Sequence, residues 1–483
     1  MSTSNTFASF NPITGEEIAQ YPNTSRDEVF AAVERAKVAS QQWQLLSERE
    51  RRRILLKWNG LLSDRIEEIT EIIVAETGKP VSDATLEATL AIGHLAWAAK
   101  SAAKVLADRY RPAGLLMFNM SARVQRVPLG VVGVIGPWNY PIFTPMGSIS
   151  YALAAGNAVV FKPSEYTPGV GAWLAQTFDE VSPIPHLFTC VTGLPDTGRA
   201  LTEASVNKVS FTGSTRTAKK VAASCAERMV PVVLECGGKD PVIIAQDADI
   251  KRAAEYALWS AMSNAGQTCI GAERVYVVDL VADRFIEAIK SAAQEIHAGQ
   301  NYGPATMPSQ LGIIQRHIDD AADAGGKFLV GGRDSVKARY VEPTILLDVP
   351  ESSTAITEET FGPTLVINRV KNVDEAIALS NASAYGLGAS VWSRRDGRKI
   401  AAQLDCGMVS INSVIAFAAI ATVPFGGVKD SGYGRIHGPE GLIEFTYPRT
   451  VVKELFRIPI AFTTFKRSKF ADNFIKKVTQ ILN

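Results

Sequence analysis

Short runs of β-branched residues alternate with longer amphipathic stretches through the middle of the chain, at 131–135, 158–161, 208–211, 230–234 and 242–245. The intervening stretches 146–155 and 168–181 are long enough to be crossover helices, so the pattern predicts a parallel sheet covered by helices. Ahead of it, two amphipathic helices are announced by capping boxes, Ser25 with Glu28 and Ser47 with Glu50, which satisfy amides otherwise left unpaired. An Ala-rich helical stretch follows at about 80–108, and alternating residues over 109–126 predict an exposed hairpin. After a helix at 250–263, strands and helices alternate again (274–278, 284–295, 364–369, 373–380, 389–392, 408–411) and make a second α/β unit. A strand at 446–456 and a helix at 465–482 close the chain. That helix places Phe470, Phe474, Val478 and Ile481 on one face, among six Lys or Arg between Arg457 and Lys477.

Composition narrows the class of protein. The 483 residues imply about three packing units, and 46% hydrophobic content suffices for a buried core. Fifty Lys and Arg against 49 Asp and Glu leave a net charge of +1, so no overall field draws in nucleic acid or anionic membrane. Residues 127–161 carry no charged side chain, but Pro128, Pro137, Pro141 and Pro145 interrupt them. Each proline removes a backbone donor that lipid cannot replace, so the run reads as protein interior and not as a membrane helix. Five cysteines, none in Cys-x-x-Cys spacing, argue against a disulfide framework and a zinc ribbon. With no apolar run near the start, the expectation is a cytoplasmic protein.

Motifs for nucleotide triphosphate, zinc protease and serine esterase chemistry are missing, as is the Gly-x-Gly-x-x-Gly dinucleotide turn. Three other segments can carry chemistry. Cys269 follows a helix whose end Asn264 and Gly266 mark, which places it on a loop. By itself it is either a small buried hydrophobe or a nucleophile. Glu235 ends a buried strand before Gly237 and Gly238. It is either a solvated strand end or a desolvated base with a raised pKa. Asn139 lies in the turn 136–141 after the strand 131–135 and offers an amide donor.

These segments, with 161–165 (Phe-Lys-Pro-Ser-Glu), 211–215 (Phe-Thr-Gly-Ser-Thr), 358–363 (Glu-Glu-Thr-Phe-Gly-Pro) and 424–427 (Pro-Phe-Gly-Gly), resemble the aldehyde dehydrogenase superfamily in order over nearly the whole chain. The resemblance implies an aldehyde-dehydrogenase-like α/β fold. A Rossmann-type cofactor-binding domain would comprise 1–108 and 129–236, and a catalytic α/β domain 237–435. A small β oligomerisation element would comprise 109–128 and 436–458, and a basic amphipathic tail 459–483. It also implies roles. Cys269 would attack the aldehyde, the Asn139 amide and the Cys269 N–H would hold the oxyanion, and Glu235 would activate the water that hydrolyses the thioester. Acylating relatives that use coenzyme A typically lack this Glu, so hydrolysis to the acid is expected. Lys162 and Glu165 would bind the adenosine ribose, Glu165 favouring NAD over NADP by repelling a 2′-phosphate. Gly213 and Ser214 would place helix amides on the pyrophosphate, Glu359 and Phe361 would position the nicotinamide ribose and ring, and Trp138 would line the same cleft.

Cys236 stands where the family usually has Leu, as packing or as an oxidation-sensitive partner of Cys269. The tunnel expected from 127–161 and 412–424 has no charged residue, and Gly147 would widen it. Apolar aliphatic or aromatic aldehydes are therefore expected, with a succinate-semialdehyde-type enzyme and a non-catalytic protein on the same fold as alternatives. A homodimer or homotetramer is implied. The tail is a helix packed on its own domain, a lid on a neighbouring subunit, or a membrane-surface anchor.

Overall fold

The computed structural model describes residues 6–458 and 464–482. An unanticipated hairpin, Thr6–Phe10 with Glu17–Pro22, precedes the first two helices. Those helices, Arg26–Leu45 and Glu48–Asp64, start at Ser25 and Ser47, and both capping boxes close reciprocally as their sequence required. A third helix, Ile66–Thr77, was not foreseen, and the Ala-rich stretch folds as Val81–Val105. Buried tryptophans anchor this layer. Trp43 Nε1 donates to the Leu153 carbonyl at 2.9 Å, and Trp58 Nε1 to Thr177 Oγ1 at 3.1 Å. Trp58 also meets Phe178 edge-on at 5.0 Å between ring centroids.

The first large sheet has six strands in the order Gly432–Tyr433, Val232–Glu235, Lys208–Thr212, Val131–Ile135, Ala158–Lys162, Phe188–Cys190. All but the first are parallel to their neighbours. The chain runs outward from Val131–Ile135 to Phe188–Cys190, then returns to Lys208–Thr212 on the other side. The winding therefore reverses between Val131–Ile135 and Lys208–Thr212, and ligands bind outside the carboxyl ends of strands at such a switch point. Residues 127–161 fold into this interior as strand, 12-residue helix Phe143–Ala154 and strand. Among the described residues, no helix is long and apolar enough to cross a membrane.

The run at 242–245 does not join that sheet. It forms the strand Asp240–Ile244, which pairs with Ala272–Val278 and Gly388–Trp392 in a second, seven-stranded sheet. Two strands at its edge, Lys327–Val330 and Thr344–Leu347, were missed. The expected hairpin is Arg109–Arg111 against Met120–Pro128, and Thr446–Glu454 extends it in register from Thr446 opposite Pro128 to Glu454 opposite Met120. In the terminal helix Lys469–Leu482, Ala471 and Val478 are buried while Phe470 is 66% exposed, so the inward face begins one residue later than the sequence suggested. The Ile481 side chain, and residues 459–463 and 483 of the expected tail, lie outside the described residues.

Candidate active site

Four neighbouring strands of the first sheet end at the switch point, and each delivers residues singled out in the sequence. Val131–Ile135 leads to Trp138 and Asn139, Ala158–Lys162 ends in Lys162, Lys208–Thr212 leads to Gly213 and Ser214, and Val232–Glu235 ends in Glu235. Parallel pairing makes this convergence unavoidable, because the carboxyl ends share one edge. The turn after Glu235 is glycine because other chain comes close. A Cβ at Gly237 would collide with the Glu359 carboxylate, and one at Gly238 would lie 2.9 Å from the Cys269 carbonyl.

Cys269 is carried by a loop with three successive left-handed residues, Asn264 (φ 52°), Ala265 (φ 55°) and Gly266 (φ 70°). At Gly266 any side chain would collide with the Gly362 backbone, so the Cys269 loop and the 358–363 segment are in direct contact. Asn139 joins the same loop. Its Nδ2 donates to the Gln267 carbonyl at 2.8 Å, and its own carbonyl accepts from Asn264 Nδ2 at 3.1 Å. Tyr140 Oη and Thr268 Oγ1 add a contact of 2.9 Å. Glu359 accepts from the Gly238 N–H at 3.1 Å. The adjacent Phe361 has φ 53°, an unfavourable conformation for an aromatic residue. Glu273 holds it by accepting from the Thr360 and Phe361 N–H groups, and is itself paired with buried Lys239. Neither Lys239 nor Glu273 was singled out in the sequence, where they flank the strand-like runs 242–245 and 274–278 without belonging to them.

Electrostatics separate Glu235 from an ordinary surface acid. It is 2% exposed and neither carboxyl oxygen has an ion-pair or backbone hydrogen-bond partner. Burial pushes its pKa up to about 8, against the smaller opposing influence of the Cys269 thiol and Thr212. Burial also drives the Cys269 thiol well above its usual value, reinforced by the charges of Glu235, Glu359 and Asp240. Glu359 is likewise pushed up to about 8, first by burial and then by Glu273. Cys236 is 2% exposed, is not in a disulfide, and has a pKa raised to about 12 mainly by burial.

The residues expected to hold the cofactor offer groups that suit a dinucleotide. Lys162 is buried at its strand end, with Nζ 3.3 Å from the partly exposed Glu165 carboxylate, so an ion pair and an accessible acceptor coexist there. A Cβ at Gly213 would meet the Phe211 ring at 2.7 Å, so a side chain has no room where the backbone turns into the helix Thr215–Ala226. Ser214 is the N-cap residue, but its hydroxyl turns to Thr217 Oγ1 at 3.1 Å and caps no amide. That leaves first-turn N–H groups for an anion. Trp138 and Phe361 meet edge-to-face at 5.5 Å, which brings the turn from the first sheet onto the 358–363 segment.

A cavity of about 290 Å³ opens onto Cys269 and Glu235. Phe143, Val414, Ile415 and Ala418 line it, as the charge-free segments predicted, with Phe425 just beyond them, and half-exposed Leu86 and Trp259 mark its mouth. Two expectations fail. Gly147 does not widen the cavity, because His437 and Ile436 pack where its side chain would be. Nor is the wall free of charge, since the helix Val81–Val105 and the turn before it contribute Lys79, Asp83 and Glu87.

Known proteins share this sequence pattern and fold. Residues 1–451 match the Aldehyde dehydrogenase family. The chain is 35% identical over 462 residues to a 4,4'-diapolycopene aldehyde oxidase of Methylomonas sp., covering 94% of this chain and 87% of that protein. It is 34% identical over 451 residues to the NADP(+) succinate-semialdehyde dehydrogenase of Escherichia coli K12, covering 90% and 92%. The solved NAD-dependent aldehyde dehydrogenase from Sinorhizobium meliloti superposes with a TM-score of 0.91 at 32% identity, covering 95% of this chain and 93% of that one. Sequence, fold and the cleft between the two sheets agree, and the chain belongs to the aldehyde dehydrogenase family, whose members oxidise aldehydes with NAD(P).

Proposed function

We propose that the chain oxidises an apolar aldehyde to its carboxylic acid through a thioester on Cys269. The observation that carries this reading is one cavity wall holding both Cys269 and Glu235, a buried carboxylate with no ion-pair partner and a pKa near that of a working base. The Cys269 thiolate attacks the carbonyl carbon. The oxyanion is met by the Asn139 amide and the Cys269 N–H. When bound, the dinucleotide supplies the hydride acceptor, held by Lys162, Glu165, the amides after Gly213 and Ser214, Glu359 and Phe361. Glu235 then takes a proton from water, and the hydroxide displaces the Cys269 sulfur from the acyl carbon. An intact base favours hydrolysis over transfer to coenzyme A, and the full set of catalytic groups disfavours a non-catalytic role.

The cavity supports the apolar substrate. Its one lysine, Lys79, is paired with Glu87 at 2.7 Å, and Asp83 adds a further carboxyl, so a substrate carboxylate meets no unpaired cation there. Among the relatives, one is named for diapolycopene aldehyde and another for succinate semialdehyde. NADH formation with hexanal, benzaldehyde and succinate semialdehyde tests the reading. The expected kcat/KM for hexanal or benzaldehyde exceeds that for succinate semialdehyde by about tenfold or more, the ratio for ~1.4 kcal/mol of charge repulsion. A preference for succinate semialdehyde would contradict it.

Glu165 supports NAD over NADP. Glu165→Ser is expected to raise the NADP-to-NAD ratio of kcat/KM by about tenfold, by removing one like-charge repulsion near the surface. An unchanged ratio would remove Glu165 as the selector. The strand Thr446–Glu454 is nine residues long and lies at the free edge of its sheet with Tyr447, Val451 and Val452 exposed, which supports pairing with a second copy. A monomer by sedimentation would contradict this.

A further inference from the structure

We propose that Lys79 and Glu87 are positioning residues that set the oxyanion donor Asn139, an inference that rests on the oxyanion reading above. Lys79 Nζ donates to the Asn139 backbone carbonyl at 2.8 Å and to Glu87 Oε2 at 2.7 Å, and stands 4.4 Å over the Tyr140 ring. Glu87 Oε1 accepts from the N–H groups of Ile142 at 3.0 Å and Phe143 at 3.2 Å. The pair therefore grips both ends of the turn 139–143.

Two features make this more than packing. First, the turn has little backbone support of its own: Pro137 and Pro141 have no N–H, and the Tyr140 carbonyl accepts from the Thr144 N–H at 3.2 Å. Second, both side chains are 1% exposed, and taking two charges out of water costs much of what their attraction returns. Stability alone does not account for the ion pair. Its geometric result does, because the Asn139 carbonyl is fixed by Lys79 and Asn264 while its Nδ2 uses one hydrogen on the Gln267 carbonyl. One N–H of the amide remains. Such a donor works only within 2.7–3.1 Å of the developing oxyanion, so a small drift of the turn weakens it.

The test is steady-state kinetics with hexanal and NAD on Lys79→Met/Glu87→Gln, which removes both charges and keeps an acceptor oxygen for Ile142 and Phe143. The expected result is a kcat lower by about 10–100-fold, with KM for both substrates within about threefold and the thermal midpoint little changed. Asn139→Ala alone is expected to lower kcat by about 100–1000-fold. In that background the Lys79/Glu87 change is expected to add nothing, because groups acting through one donor are not additive. Equal losses in both backgrounds, or a raised KM at unchanged kcat, would overturn the inference while leaving the oxyanion reading intact. An unaffected Asn139→Ala would overturn the oxyanion reading, and this inference with it. If the double variant does not fold, Lys79→Arg keeps the charge but displaces it, and the same loss of kcat and the same non-additivity are expected.

Discussion

Cys269→Ala is expected to abolish NADH formation from every aldehyde, a loss of at least about a thousandfold in kcat. No other thiol lines the cavity, and the hydroxyl of Thr268, the neighbour in sequence, is engaged with Tyr140 at 2.9 Å. Removal of the sulfur leaves hydride no tetrahedral carbon from which to depart. The variant should fold and still bind NAD, because the cofactor contacts lie on other strands. The thiol also dictates a pH dependence. Burial and the Glu235, Glu359 and Asp240 carboxylates keep it protonated, and only the thiolate is strongly nucleophilic, so acylation should rise with pH. Residual wild-type turnover in Cys269→Ala would assign the chemistry elsewhere.

Glu235→Gln should convert steady turnover into a burst. Gln fills the same volume but cannot accept a proton, so one NADH per site forms quickly and hydrolysis then slows by about 10²–10⁴-fold. In the wild type, a carboxyl raised to about 8 is protonated below that pH and becomes a base only above it. The sign is therefore a kcat that increases between about pH 7 and 9, with an inflection shared by Glu235 and Cys269 because each group's charge alters the other's titration. In Glu235→Gln the slow hydrolytic rate should lose that rise. Linear NADH formation with no burst and an unchanged pH profile would remove Glu235 from the hydrolytic step.

Much of this site was legible because its signals are local. Glu235 ends a strand one residue before two glycines, Cys269 follows a helix end marked by Asn264 and Gly266, and Asn139 follows a β-branched run, so each could be placed on its element from its neighbours. What failed depended on distant pairs. Lys79 meets Asn139 across 60 residues and Glu87 meets Ile142 across 55, and no periodicity encodes such a contact. Gly147 looked like open space because His437, which fills it, arrives from the far end of the chain. The strand Asp240–Ile244 read like its predecessors because buried parallel strands share one composition, and the partner sheet is chosen only by tertiary packing. The tail helix was found by its apolar spacing, but a pattern that admits two adjacent faces does not decide between Phe470 and Ala471.

The central intermediate is an acyl group on Cys269 that Glu235 releases. Peptide mass spectrometry of Glu235→Gln, quenched in acid within the burst after mixing with hexanal and NAD, tests it most directly. The predicted result is a hexanoyl adduct on the peptide containing Cys269, stoichiometric with the NADH formed and absent when NAD is omitted. An unmodified Cys269 peptide alongside stoichiometric NADH, or an adduct on Cys236, would contradict the account.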